Sequence, residues 1–223
     1  REDSRRRLLV ECNVRGRDIG GFVTEARGKL AGIEERLPPG YRLMWGGQFE
    51  NQQRAMRRLT VVVPISLLLI FVLLVGALGS LKSAWLIMLN LPFAVVGGAA
   101  AMYLLGIHLS VAATIGFIAV LGVAVEDGLV LVSFCDQLRR EGRTTVDAVY
   151  EACRLRIRPL VMTVATTLLG LLPMLYATGA GAEIQRPLVA VIFGGLLSSL
   201  LLELIVLPVL YVLAYGPRPA VQN

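Results

Sequence analysis

The polar and apolar positions divide the chain in two. Residues 1–58 are rich in charge, and from Leu59 onward long apolar runs dominate. A helix needs roughly 20 mostly apolar residues to cross about 30 Å of hydrocarbon. Five segments meet that length: 59–78, 84–105, 111–134, 159–177 and 187–214. The first 58 residues have other periods. Leu8, Val10, Cys12 and Val14 alternate within 7–14, as in a half-buried strand, whereas Phe22, Ala26, Leu30 and Ile33 follow a helical period within 19–37. Pro38-Pro39-Gly40 ends that helix, 41–45 resumes as a strand, and Gly46-Gly47 turns the chain into a polar helix over 50–58 that leads into the first span. The expected class is an α-helical polytopic membrane protein with a small external βαβ portion. One such unit cannot bury a core by itself, so it would complete a sheet supplied by further sequence. The start at Arg1, without a signal-peptide pattern, reads as a piece of a longer protein.

Composition agrees. The 223 residues are 56% hydrophobic, with a mean hydropathy of +0.69. Net charge is +6. In a soluble protein that would point to nucleic acid, but here the positive charge flanks spans and sets topology. Arg139, Arg140, Arg143, Arg154, Arg156 and Arg158 put the segment 135–158 in the cytoplasm under the positive-inside rule. Alternation then leaves residues 1–58 outside and the tail 215–223 inside, against a mild contrary pull from Arg54, Arg57 and Arg58. Within the cytoplasmic segment, Thr144 or Thr145 can cap a helix over about 145–156 with Asp147 in its first turn. Its stripe of Val146, Val149, Tyr150 and Cys153 suits the membrane surface and its lipid better than a calmodulin-like target.

The candidate chemistry lies inside the spans. Glu126 and Asp127 are neighbours deep in the third. An ionised carboxylate at such depth costs at least about 2.5–3.5 kcal/mol, so two adjacent acids do not both stay charged without a partner. A carboxyl that takes up and releases a proton at a wet seam is what a proton-coupled transporter requires. Neighbours on a helix point about 100° apart, so one of the pair faces such a relay. The alternative is that both acids bond an adjacent helix and fix packing. Thr163, Thr166 and Thr167 in the fourth span are weaker relay candidates, because a membrane threonine commonly bonds the carbonyl four residues back. Glu203 in the last span is a second functional acid or, the favoured reading, a packing residue paired with Ser198 or Ser199. Gly97-Gly98, Gly116, Gly122 and Gly194-Gly195 allow close helix approach, and Pro64, Pro92, Pro173 and Pro208 are candidate kinks. His108, Met44 and Met56 read as surface or packing residues. Cys12, Cys135 and Cys153 have no ligand or disulfide spacing. No nucleophile–base set, phosphate loop or cofactor motif points to an enzyme.

Several runs carry a family resemblance: Gly46-Gly47-Gln48-Phe49-Glu50, Gly122 through Val130, Arg158-Pro159 with Met162-Thr163, Thr178 through Pro187, and Leu207 through Tyr211. Together they resemble the resistance–nodulation–division (RND) efflux pumps, in the heavy-metal branch of cobalt–zinc–cadmium and copper–silver pumps. The chain is similar to the end of the second periplasmic loop, part of a porter subdomain, followed by helices 8 to 12 of a twelve-helix protomer. The resemblance implies a proton-driven antiporter of metal cations in the bacterial inner membrane. It further implies a homotrimer, coupled to a periplasmic adaptor and an outer-membrane channel and carrying no cofactor. Glu126 matches a relay position that holds lysine in the multidrug branch and an acid in the copper–silver type, opposite carboxylates on helix 4. Thr163 matches the relay threonine of helix 11. Asp127 departs from a position that is commonly Asn. Leu160 stands near where the copper–silver pumps carry a lysine. The competing expectations are a multidrug exporter, disfavoured by the acid at 126, and a non-exporting secretion accessory of the same fold.

Overall fold

The structure is a computed structural model that describes residues 8–12, 19–34, 36–38, 41, 43–179 and 181–216. It forms two compact units, residues 1–57 and 58–223. In the first, α1 (Ile19–Glu34) buries Val23 and leaves Ile33 exposed. Lys29 and Glu25 pair along its surface at 2.6 Å. The Arg27 guanidinium lies over the rings of Trp45 and Phe49, at 5.9 and 5.3 Å, and this cation–π contact fixes the chain leading into α2.

Neither strand expected beside α1 is seen among the described residues. Among the described residues there is no strand: 8–12, 41 and 43–45 are irregular, and Leu8, Val10 and Tyr41 are exposed. The physical reason is the one that marked the βαβ unit as incomplete: strands with no ladder partner and no second layer have nothing to hold them. Arg7, Asn13 and Val14 of the first expected strand, Arg42 of the second, Pro39 and Gly40 of the helix-ending turn, and the tail 217–223 lie outside the described residues.

The helix α2 (Gln48–Leu78) begins in the first unit, and the second unit holds the rest of it with α3 (Leu81–Leu104), α4 (Val111–Arg140), α5 (Thr145–Leu175) and α6 (Ala182–Tyr215). All five are long and apolar enough to cross a membrane. The polar helix before the first span is the start of α2, as its spacing predicts. Gly106 closes α3 at φ +63°, where the Ile107 amide reaches back to the Met102 carbonyl at 2.9 Å and satisfies a terminal acceptor. Thr144 is the cap of α5 and accepts from the Asp147 amide at 3.1 Å.

The segment 145–156 is not a separate surface helix. It is the first part of α5, continuous with the fourth span through Pro159. A proline removes one ladder bond, and neighbouring helices tolerate that loss in such an environment. The proposed apolar stripe divides accordingly. Val149 is buried and Cys153 half-buried against the bundle, whereas Val146 and Tyr150 point outward. The arginine-rich segment is therefore two helical arms joined by residues 141–144.

α6 is the centre of the unit and packs against α3, α4 and α5. Its buried face carries Val189, Leu196, Ser199, Glu203, Leu207 and Tyr211 at helical spacing. Glycine sets how near α3 and α6 come. A Cβ on Gly97 would lie 2.1 Å from the Ser198 Cβ and 2.6 Å from the Gly194 carbonyl oxygen. One on Gly194 would meet the Ala101 Cβ at 2.3 Å. Gly98, Gly116 and Gly195 face similarly tight contacts, so five of the six glycines expected at close approaches are found there. Gly122 is different, with nothing within 4 Å, and it lies on an open face.

Candidate functional site

α4 holds the acids. Ile115, Ile118, Ala119, Gly122, Glu126 and Ser133 form its exposed stripe, while Val120, Ala124, Leu131 and Cys135 face the core. At 1.5 Å per residue, Glu126 sits roughly 22 Å along a helix about 45 Å long, midway between its ends. Its side chain points out of the bundle. Asp127, one residue on, is rotated inward and half-buried. The two acids therefore have separate surroundings, as the 100° step requires.

Glu203 is fully buried, at 0% exposure, and neither carboxylate oxygen has a hydrogen-bond partner. The pairing expected with Ser198 or Ser199 is not made. Ser198 instead donates to the Phe93 carbonyl at 3.0 Å across the α3–α6 contact. The Ser199 hydroxyl is buried without a partner. Glu203 lies near enough to Asp127 for the two carboxyl groups to interact electrostatically.

The threonines behave as membrane threonines commonly do. Thr163 donates to the Pro159 carbonyl at 3.1 Å, Thr166 to Met162 at 2.8 Å and Thr167 to Thr163 at 2.9 Å. All three are on exposed parts of α5. None of these hydroxyls is placed on Glu126 by a hydrogen bond. Glu126 and Thr163 share openness toward the outside of the bundle, not contact.

A polar cluster at the end of the bundle was not anticipated from the sequence. Asp136 on α4 accepts from Ser83 of α3 at 2.9 Å and from the Tyr211 hydroxyl of α6, and it pairs with Arg139 at 3.4 Å. Arg139 also donates to the Tyr211 oxygen at 3.0 Å and lies over the Tyr215 ring at 4.0 Å. Tyr215 in turn bonds Ser83 and Ser80 at 2.6 and 3.0 Å. Three helices are thus joined through one carboxylate. The only local signal was the i, i+3 spacing of Asp136 and Arg139, because the tyrosines lie some 75 residues away. Asp136→Ala strips the acceptor from three donors, and it should cost more stability than Tyr211→Phe. The latter removes one hydroxyl, worth about 1–3 kcal/mol, and leaves Asp136 with Ser83 and Arg139. Thermal unfolding of the two variants in the full-length protein checks the order; equal melting temperatures would refute the clasp.

Comparison with known proteins places these observations. The profile of the AcrB/AcrD/AcrF family matches residues 1–215. The cobalt-zinc-cadmium resistance protein CzcA of Cupriavidus metallidurans is 49% identical over 215 residues, which are 96% of this chain and 20% of that protein. The nickel and cobalt resistance protein CnrA of the same species is 45% identical over 210 residues, 94% of this chain and 19% of that protein. A crystal structure of a heavy metal efflux pump superposes with a TM-score of 0.75 at 41% identity, covering 91% of this chain and 20% of that one. The chain spans about a fifth of the length of these relatives, and it belongs to the AcrB/AcrD/AcrF family.

Proposed function

We propose that the chain is the proton-handling membrane part of a pump that expels heavy-metal cations from the bacterial inner membrane in exchange for protons. The observation that carries this reading is the placement of Glu126. It is an acid at the middle of a membrane-length helix, and it points away from its own bundle beside Gly122, where nothing lies within 4 Å. An intramembrane carboxylate is stable only toward a partner or a wet cavity. Transporters of repeated build place their ion sites between two halves. Glu126 is therefore the half-site that a second group of helices completes, with Asp127 behind it and Thr163 on the neighbouring helix.

The remaining expectations follow as parts of the same proposal. Residues 1–58 face the periplasm and finish a porter sheet whose other strands lie in further sequence. The arginine-bearing ends of α4 and α5 are cytoplasmic. The pump is a homotrimer that engages an adaptor and an outer-membrane channel. Its cargo is a divalent cation of the zinc, cobalt, cadmium or nickel kind, a reading supported by the names of the cobalt-zinc-cadmium and the nickel and cobalt resistance relatives, and Leu160 is consistent with that choice. The test is resistance profiling. The full-length protein, expressed in a strain lacking its own metal exporters, should raise tolerance to one or more of these divalent ions and leave tolerance to silver and to hydrophobic drugs unchanged. Protection against drugs alone would overturn the assignment.

A further inference from the structure

The interior of the bundle contains polar atoms that the helix packing does not satisfy. Besides the Thr145 hydroxyl, the buried side-chain atoms without a partner among the described residues belong to Asn90, Ser199 and Glu203. All three side chains are at most 2% exposed. The helix registers bring them to one level. Along α4 and α6, Gly116 faces Val191, Val120 faces Gly195 and Asp136 bonds Tyr211, each pair separated by 75 residues. The same offset sets Gly128 against Glu203, with Asp127 the adjoining residue. On α3, Ile87 packs on Gly128, and Phe93 accepts from Ser198. Asn90 lies between those two contacts, one turn from each. Ser199 is one turn from Glu203 on the same helix.

We propose that Glu203, with Asn90 and Ser199, forms a second proton-binding site inside the bundle that exchanges protons with Asp127. A carboxylate buried without a cation or donor is the costliest state available to this residue. The groups facing it offer no compensating charge: Asp127 from α4 is itself acidic, Cys153 from α5 is a thiol within electrostatic reach, and α3 contributes the neutral amide of Asn90. A proton is the ligand that makes the site tolerable, and the unpartnered side chains of Asn90 and Ser199, at the same level, are polar groups toward which the neutral acid can turn. In the exchange, the Asp127 carboxylic acid loses its proton and the Glu203 carboxylate gains it. The net charge of the pair does not change, so no charge is created in hydrocarbon. Asp127 is the half-buried step between the open Glu126 and this closed site.

The inference rests on the proton-driven reading and deepens it, but it is tested without any metal. Infrared difference spectra of the full-length protein are recorded as the pH is raised. The wild type should show a protonated-carboxyl C=O band that disappears on titration. Glu203→Gln should abolish that band while the protein elutes at the same size. Glu203→Asp should restore a displaced band, which guards against a folding failure in the glutamine variant. Asp127→Asn should move the pH at which the band disappears. A Glu203 band that never titrates, or a spectrum unchanged by Glu203→Gln, would overturn the proposal in favour of a purely packing acid. Glu126→Gln leaves the band in place, so failure of the export reading and failure of this one are distinguishable.

Discussion

Glu126→Gln in the full-length protein abolishes metal resistance, returning cells to the tolerance of a strain without the pump. Glutamine keeps the volume and hydrogen-bonding capacity of the side chain and removes only its ability to bind and release a proton. Within its own bundle Glu126 is exposed, so the substitution leaves the packing of these five helices undisturbed. Expression level and elution volume should therefore match the wild type, and Glu126→Asp, which retains the acid on a shorter stem, should recover part of the resistance. A glutamine variant that protects cells as well as the native protein would remove Glu126 from the mechanism.

Gly97→Leu and Gly194→Leu should each prevent stable assembly. At Gly97 the first added carbon would already lie 2.1 Å from the Ser198 Cβ and 2.6 Å from a backbone oxygen of α6. A backbone atom cannot rotate aside, so α3 and α6 must separate. That separation would break the Ser198–Phe93 hydrogen bond and open the contact between Ala94 and Gly195. Overpacking alone typically costs about 1–3 kcal/mol, and parting two central helices adds lost dispersion along their length. Gly76→Ala is the matched control, because nothing lies within 4 Å of that position. Detergent-solubilised variants followed by size exclusion should show aggregation for the two leucine substitutions and native elution for the control. Native elution of Gly97→Leu would mean that the close approach is dispensable.

The sequence made the spans legible because a membrane helix needs only length and apolarity, both of which are local. It made Glu126 legible because a carboxylate amid apolar residues is costly wherever it points. It could not reveal which way the residue points, since that depends on α4 turning Val120 and Leu131 toward α6. The expected strands are not seen among the described residues for a related reason. Alternation at Leu8, Val10 and Cys12 encodes a preference that becomes a strand only when another strand pairs with it. The stretch 145–156 was separated from the fourth span because its arginines and Pro159 break the hydropathy run. The backbone ladder passes through both.

Glu203 shows the opposite limit. Its neighbours Ser198 and Ser199 made a local hydrogen bond the natural expectation, whereas the helix crossing gives Ser198 to the Phe93 carbonyl and leaves the acid without a hydrogen-bond partner, within electrostatic reach of Asp127. The clasp of Asp136, Tyr211, Ser83 and Tyr215 was hidden for the same reason: its members come from three helices far apart in the chain. Glycine pairs were the exception among tertiary features. Gly97-Gly98 and Gly194-Gly195 announce a close approach, although not with which partner.

The most direct measurement is proton movement in proteoliposomes holding the full-length pump, with a pH-sensitive dye inside and a pH gradient imposed. Adding zinc to wild-type vesicles should accelerate collapse of the gradient, and vesicles with Glu126→Gln should show only the leak of empty liposomes. Equal zinc-stimulated proton flux in the two would contradict a relay through Glu126.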